Sequence, residues 1–184
     1  MGILSGINQK RLFRTILANS RERLYRMAYS WTHDPTLADD LVQQTCYQAL
    51  RKQRHLRDMD AADAWLFRIL ANCLADHYRA RREVLSGEEF IIVEKRTPEH
   101  ATQEEQVAQR VRKAVGELPL AHRQVVTLVD LEGFSYAAVA EILEIPVGTV
   151  MSRLSRGRRA LRDHLMDVNA RGEADLPAKV RRIK

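Results

Sequence analysis

The sequence predicts an all-α protein made of two small helical domains joined by an acidic linker. Three observations predict it. Apolar residues recur at the i, i+3, i+4, i+7 spacing of a helix face along most of the chain, and no run shows the alternation of a strand. That periodicity fades between Glu83 and Glu105, where Glu83, Glu88, Glu89, Glu94, Glu99, Glu104 and Glu105 face only Lys95 and Arg96, and Thr97-Pro98 interrupts any helix. A length of 184 residues is enough for two small domains, each with its own core. The expected boundaries are an N-terminal domain over 1–84, the linker over 85–105, a C-terminal domain over 106–169 and a basic tail over 170–184 that is expected to be disordered.

In the first domain, Leu24, Met27, Ala28 and Trp31 share one helical face, which Asp34-Pro35 terminates. A second helix follows over 36–52, with Thr36 as its N-cap, Asp39 and Asp40 suited to its first turns, and Leu37, Leu41, Ala49 and Leu50 among its apolar residues. The polar loop RHLRDMDA separates it from a third helix over 63–82, where Leu66, Ile69, Leu70, Cys73, Leu74 and His77 keep helical spacing and arginines gather at the C-terminal end. In the second domain, Val107, Val111, Ala114 and Val115 form a helix that stops at Gly116. An apolar helix over 121–131 is closed by Gly133. Ser135 then caps a short helix to Leu143, Glu144-Ile145-Pro146 turns the chain, and a final helix covers 147–166.

Lys and Arg exceed Asp and Glu by 30 to 24, a net charge of +6 that favours an anionic partner such as nucleic acid. Cys46 and Cys73 lie in helical patterns without metal-ligand spacing and read as buried thiols of a reduced compartment. The N-terminal stretch lacks a long apolar core with a small-residue cleavage site, and no run approaches the roughly 18 apolar residues of a membrane span. A cytoplasmic protein without membrane contact is expected. No Gly-rich phosphate loop, metal cluster or nucleophile set surrounds His33, His55, His77, His100, His122 or His164, so neither an enzyme nor a cofactor is expected.

The segment from Ser135 to Leu161 has the form of a helix-turn-helix, with small Ala140 where the two helices approach. On a helical wheel Val150, Leu154, Gly157 and Leu161 share the buried side of the second helix. Ser152, Ser155, Arg156 and Arg159 lie opposite, and Arg153 flanks them. An arginine here can bond a guanine in bidentate fashion while its neighbours hold phosphates.

The stretch LPLAHRQVVTLVDLEGFSYAAVAEILEIPVGTVMSRLSRGRRAL resembles the C-terminal domain of extracytoplasmic-function (ECF) sigma factors of bacterial RNA polymerase, the RpoE-like group. The resemblance implies that Thr149, Ser152, Arg153, Arg156 and Arg159 face the minus-thirty-five promoter element. Many relatives carry a basic residue where this chain has Met151. The segment ADDLVQQTCYQAL resembles the family's polymerase-binding helix, which docks on the clamp helices of the largest subunit; Asp39, Asp40, Leu41, Val42, Gln43, Gln44 and Thr45 fall on that motif. Read from the residues alone, the same acids need no partner, since carboxylates suit a helix N-terminus.

A third segment, AWLFRILANCLADHYRARR, resembles the helix that recognises the minus-ten element and helps open the DNA, matching at Trp65, Arg68, Asn72, Asp76 and Arg79. Arg82 adds a further cation for the freed strand, and Trp65 itself is expected in the core, setting the helix angle. By the same resemblance the loop from His55 to Ala62 captures a base, and the acidic linker threads the polymerase's active-site and RNA-exit channels. On composition alone that linker is a solubilising spacer. The implied partners are core RNA polymerase, promoter DNA and an anti-sigma factor. The alternative is a free-standing helix-turn-helix regulator, which would leave the ADDLVQQ helix unexplained.

Overall fold

In the computed structural model residues 2–56, 58–84 and 103–174 are described, and among them every element is helical. α1 (Gly2–Thr32) buries Phe13, Leu17, Leu24, Met27, Ala28 and Trp31 against α2 (Pro35–Lys52) and α3 (Ala62–Val84). The expected N-cap of α2 is corrected by two residues. Asp34, not Thr36, caps it, its Oδ1 accepting the backbone N–H groups of Thr36 (2.9 Å) and Leu37 (3.2 Å). The reason is Pro35, whose fixed φ and missing N–H suit the first helical position and so place the cap immediately before it. α2 buries Ala38, Leu41, Val42, Thr45 and Ala49, and α3 buries Leu66, Phe67, Ile69, Leu70, Cys73 and Leu74. Trp65 is half-buried, its ring edge-on to Phe13 with centroids 6.0 Å apart, a packing role as expected.

The second half begins at α4 (Gln103–Gly116), just inside the expected linker, where Gln-Glu-Glu is a sequence suited to a helix N-terminus. The rest of the expected linker lies outside the described residues. α5 (Leu120–Val126) runs into a single wide turn over Thr127–Leu131, closed by Glu132 N–H donating to the Thr127 carbonyl at 3.1 Å. Thr127 supplies the local cause, since its hydroxyl donates to the Arg123 carbonyl at 2.8 Å and competes with the regular helical ladder. Gly133, at φ +74, then redirects the chain into α6 (Tyr136–Leu143), capped by Ser135 as expected, with Ala138 N–H donating to its Oγ at 3.2 Å. Glu144 in the left-handed conformation, Ile145 and Pro146 lead into α7 (Val147–Ala174). α7 therefore continues into the tail that was expected to be disordered after Asn169. Ala, Arg and Glu are strong helix formers there, and one glycine, Gly172, costs only about 1 kcal/mol.

The two halves do not stay apart. α3 packs on α6, α1 packs on α4 and α5, and the buried residues of both halves form one contiguous apolar cluster.

Candidate nucleic-acid and polymerase interface

α7 is held by its buried side, where Val150, Leu154 and Gly157 are covered and Leu161 is half-covered. Gly157 is there for space. A Cβ at that position would lie 2.6 Å from Val126 Cγ2, so α7 and α5 approach more closely than an alanine allows. The opposite side presents Ser152, Ser155, Arg156 and Arg159 to solvent, with Thr149 and Arg153 half-buried at its edges. Ser152 Oγ donates to the Thr149 carbonyl at 3.0 Å. The structure also sorts the arginines. Arg158 grips Asp130 with two hydrogen bonds, at 3.1 and 2.5 Å, and that bond first of all raises its pKa. Arg158 thus braces its own domain, whereas Arg156 and Arg159 have no ion-pair partner among the described residues. Beside them Met151, 54% exposed, and Val147 bring apolar surface to the first turns of the helix.

On α2 the seven residues expected at the polymerase divide into two sets. Leu41, Val42 and Thr45 point into the core, where Thr45 Oγ1 donates to the Leu41 carbonyl at 2.7 Å, so they hold the helix and offer no side chain to a partner. Asp39, Asp40, Gln43 and Gln44 are exposed. The same stripe continues through Tyr47 and Leu50, both exposed, with the Arg51 guanidinium 5.5 Å over the Tyr47 ring. The sequence reading named Leu50 only among the apolar residues of the helix and gave Tyr47 no role, although the helical wheel that places Asp39 and Gln43 together also places Tyr47 and Leu50 beside them.

On α3, Arg68, Asn72, Asp76 and Arg79 are all exposed and fall on one stripe of the helix. Arg79 pairs with Asp76 at 3.0 Å, and Arg68 lies 3.6 Å from Glu144 of the other half. The side chain of Arg82 lies outside the described residues. In the loop before α3, Asp58 Oδ1 accepts Asp60 N–H at 2.9 Å and Leu56 is buried. Three helices therefore carry three separate polar stripes: acid and amide on α2, mixed on α3, basic on α7. Among the described residues no group of His, Cys, Asp or Glu converges on a possible metal position. Both cysteines are free, and burial pushes both thiols up from their ordinary pKa.

Residues 17–84, which contain the α2 and α3 stripes, match the family description Sigma-70 region 2, and residues 108–161, which contain the helix-turn-helix, match Sigma-70 region 4. The ECF RNA polymerase sigma factor EcfG of Rhodopseudomonas palustris is 32% identical over 138 residues, covering 75% of this chain and 76% of that protein. The chain belongs to the ECF sigma factors. The ECF sigma factor SigE of Mycolicibacterium smegmatis is likewise 32% identical, over 149 residues, and this chain spans 58% of its length. Among solved structures, that of the sigma factor RpoE in complex with the anti-sigma factor NepR from Bartonella quintana matches with a TM-score of 0.74 and 30% identity, covering 84% of this chain and 96% of that one. An ECF sigma factor directs promoter-specific transcription initiation by RNA polymerase, and the match to region 2 sets aside the free-standing regulator, which has no use for it. No helix of the described residues is long and apolar enough to cross a membrane.

Proposed function

We propose that this sigma factor divides its work among the three stripes. The exposed acids and amides of α2, Asp39, Asp40, Gln43 and Gln44, with Tyr47 and Leu50 beside them, dock on the clamp helices of the polymerase's largest subunit. A helix offering carboxylates and amides next to apolar surface suits a basic partner helix. The α3 stripe, with Arg82 beyond it, holds the minus-ten element, its cations steadying the backbone of the opened strand while the preceding loop captures a base. The α7 stripe reads the minus-thirty-five element in the major groove, where Arg156 can bond a guanine and Ser152, Arg153 and Arg159 fix the register on phosphates. Phosphodiester chemistry is left to the polymerase. The single observation that carries this reading is the separation of acid-amide and basic stripes on different helices, each exposed along its length.

The site of action is the cytoplasm, where polymerase and promoter are. RpoE of Bartonella quintana crystallised in complex with the anti-sigma factor NepR, and this chain is proposed to accept an anti-sigma factor as well. The reading is tested by mixing the purified chain with core polymerase lacking any sigma factor and assaying initiation on a library of genomic promoters. Co-elution with initiation is the expected result. Tight DNA binding without polymerase association would overturn it.

A further inference from the structure

Where the two halves meet, polar groups are spent within the protein. The Trp31 indole N–H donates to Thr127 Oγ1 at 2.9 Å, Arg23 bonds Asp63 at 2.6 Å and Glu132 at 2.9 Å, and the buried Arg123 donates to the Trp31 carbonyl at 2.8 Å. The solvent side of α7 is different, because it displays groups that the fold itself does not need.

From Val147 to Ser152 the helix has no charged side chain, and its cations begin only at Arg153. The exposed apolar side chains of this stretch are Val147, 43% exposed, and Met151, one turn further along the same edge. Around the helix axis Met151 stands roughly 140° from Arg156, with Ser152 and Ser155 exposed between them. The exposed surface therefore grades across its width from apolar, through hydroxyl, to cationic.

Gly148 lies on the same stripe, three residues before Met151 and four before Ser152. Its φ is not positive, and a Cβ there would meet nothing within 4 Å, so neither backbone conformation nor internal packing calls for glycine. The missing side chain lowers the profile of the first turn and lets a ligand on this face come close to the backbone.

A ligand matching this surface has anionic groups for the arginines and, near them, a small apolar group set in a polar groove. The major groove of DNA displays one such group, the C5-methyl of thymine. A recognition helix presents its N-terminal residues to base edges, and Met151 precedes Arg156 by about 7.5 Å along the axis, roughly two base-pair steps of 3.4 Å.

We propose that Met151 is a specificity-determining residue that packs on a thymine methyl of the minus-thirty-five element, within about three base pairs of the guanine bonded by Arg156. Val147 extends this apolar edge and Gly148 permits the close approach. The inference deepens the assignment of α7 to the minus-thirty-five element and rests on it. Methionine suits the task because its unbranched, flexible thioether moulds to a small apolar group. A cation at this position would instead hold a phosphate and add affinity for any sequence.

The test uses holoenzyme reconstituted from the full chain and core polymerase. The holoenzyme first selects its element from a promoter library randomised over the minus-thirty-five region. Each thymine of the selected element is then replaced singly by deoxyuridine, which removes the methyl group and keeps the hydrogen-bonding edge, and affinity is read by anisotropy of the labelled promoter. Wild type is expected to lose about three- to five-fold at one or two thymines, and Met151→Ala to bind both forms equally. The wild-type ratio should be the same at low and high salt, since an apolar contact releases no counterions. Gly148→Ala should bind the element more weakly although its thermal midpoint does not fall, alanine being the better helix former. An element without thymine, a wild type indifferent to every deoxyuridine, or Met151→Ala that keeps the discrimination would overturn the proposal. Undiminished binding by Gly148→Ala would overturn the close approach. A library that yields no preferred sequence would instead overturn the assignment of α7 on which the proposal rests.

Discussion

At the scale of single residues, Arg156 and Arg158 are two positions apart in the sequence and opposite in surroundings. Arg158 is bound to Asp130 and Arg156 is not. Arg156→Ala should therefore weaken binding to a cognate minus-thirty-five duplex by about 1–3 kcal/mol with unchanged thermal stability, measured by fluorescence anisotropy. An equal loss on a scrambled duplex would show a phosphate contact in place of a base contact. Met151, exposed on the same helix, is the reciprocal case: Met151→Arg should strengthen binding to any duplex and steepen its salt dependence by about one unit of slope. The buried thiols give a pH prediction. Burial raises both thiols, so the fold favours the neutral form; this contribution is intact below the ordinary thiol value and is lost as pH rises past it. Iodoacetamide near neutral pH should modify half-buried Cys46 slowly and Cys73 only after unfolding, read by mass spectrometry. Helical periodicity made Val150, Leu154 and Gly157 legible as a buried face. It could not reveal Arg123, because an arginine in an apolar helix reads as an exposed cation until the carbonyls of another helix are seen around it.

At the scale of elements, the helices were readable because each buries one stripe, and their ends were readable where a cap and a breaker agree. Ser135 before α6 is such a case. At α2 the two signals were one step apart: Thr36 has the side chain of a cap, but Pro35 already belongs to the helix, so Asp34 makes the bonds. Asp34→Ala should lower stability by about 1 kcal/mol in urea denaturation, whereas Thr36→Ala should change it by much less. A larger loss at Thr36 would contradict the capping assignment. The α2 stripe has a parallel expectation. Gln43→Ala should reduce polymerase co-elution while leaving the fold and the minus-thirty-five affinity of the chain unaltered, because Gln43 is exposed and α2 is remote in sequence from the reading helix. The motif resemblance named seven residues here, and only the three-dimensional burial of Leu41, Val42 and Thr45 separates those exposed to a partner from those that hold the helix.

At the scale of the whole molecule, the sequence reading of two domains and a linker describes the matched regions but not their meeting. Nothing in the periodicity of α3 announces that Phe67 will find Phe134, since a face buried by a distant segment looks the same in sequence as one buried by a neighbour. The meeting has a thermodynamic consequence. With one contiguous cluster, and with Arg123 tying α5 to the end of α1, neither half can unfold without exposing surface of the other. Urea unfolding followed by the two tryptophans and by far-ultraviolet circular dichroism should therefore give coincident, two-state curves. Trp31 reports the boundary and Trp65 the first half. The Trp31 hydrogen bond and the part-exposed Arg23–Glu132 pair are each worth on the order of 1 kcal/mol. Removing both should weaken the contact between the halves by roughly 2 kcal/mol and separate the curves, the Trp31 signal changing first. Separate transitions in the unaltered protein would mean that the two halves fold independently and that their contact adds little to the stability of either.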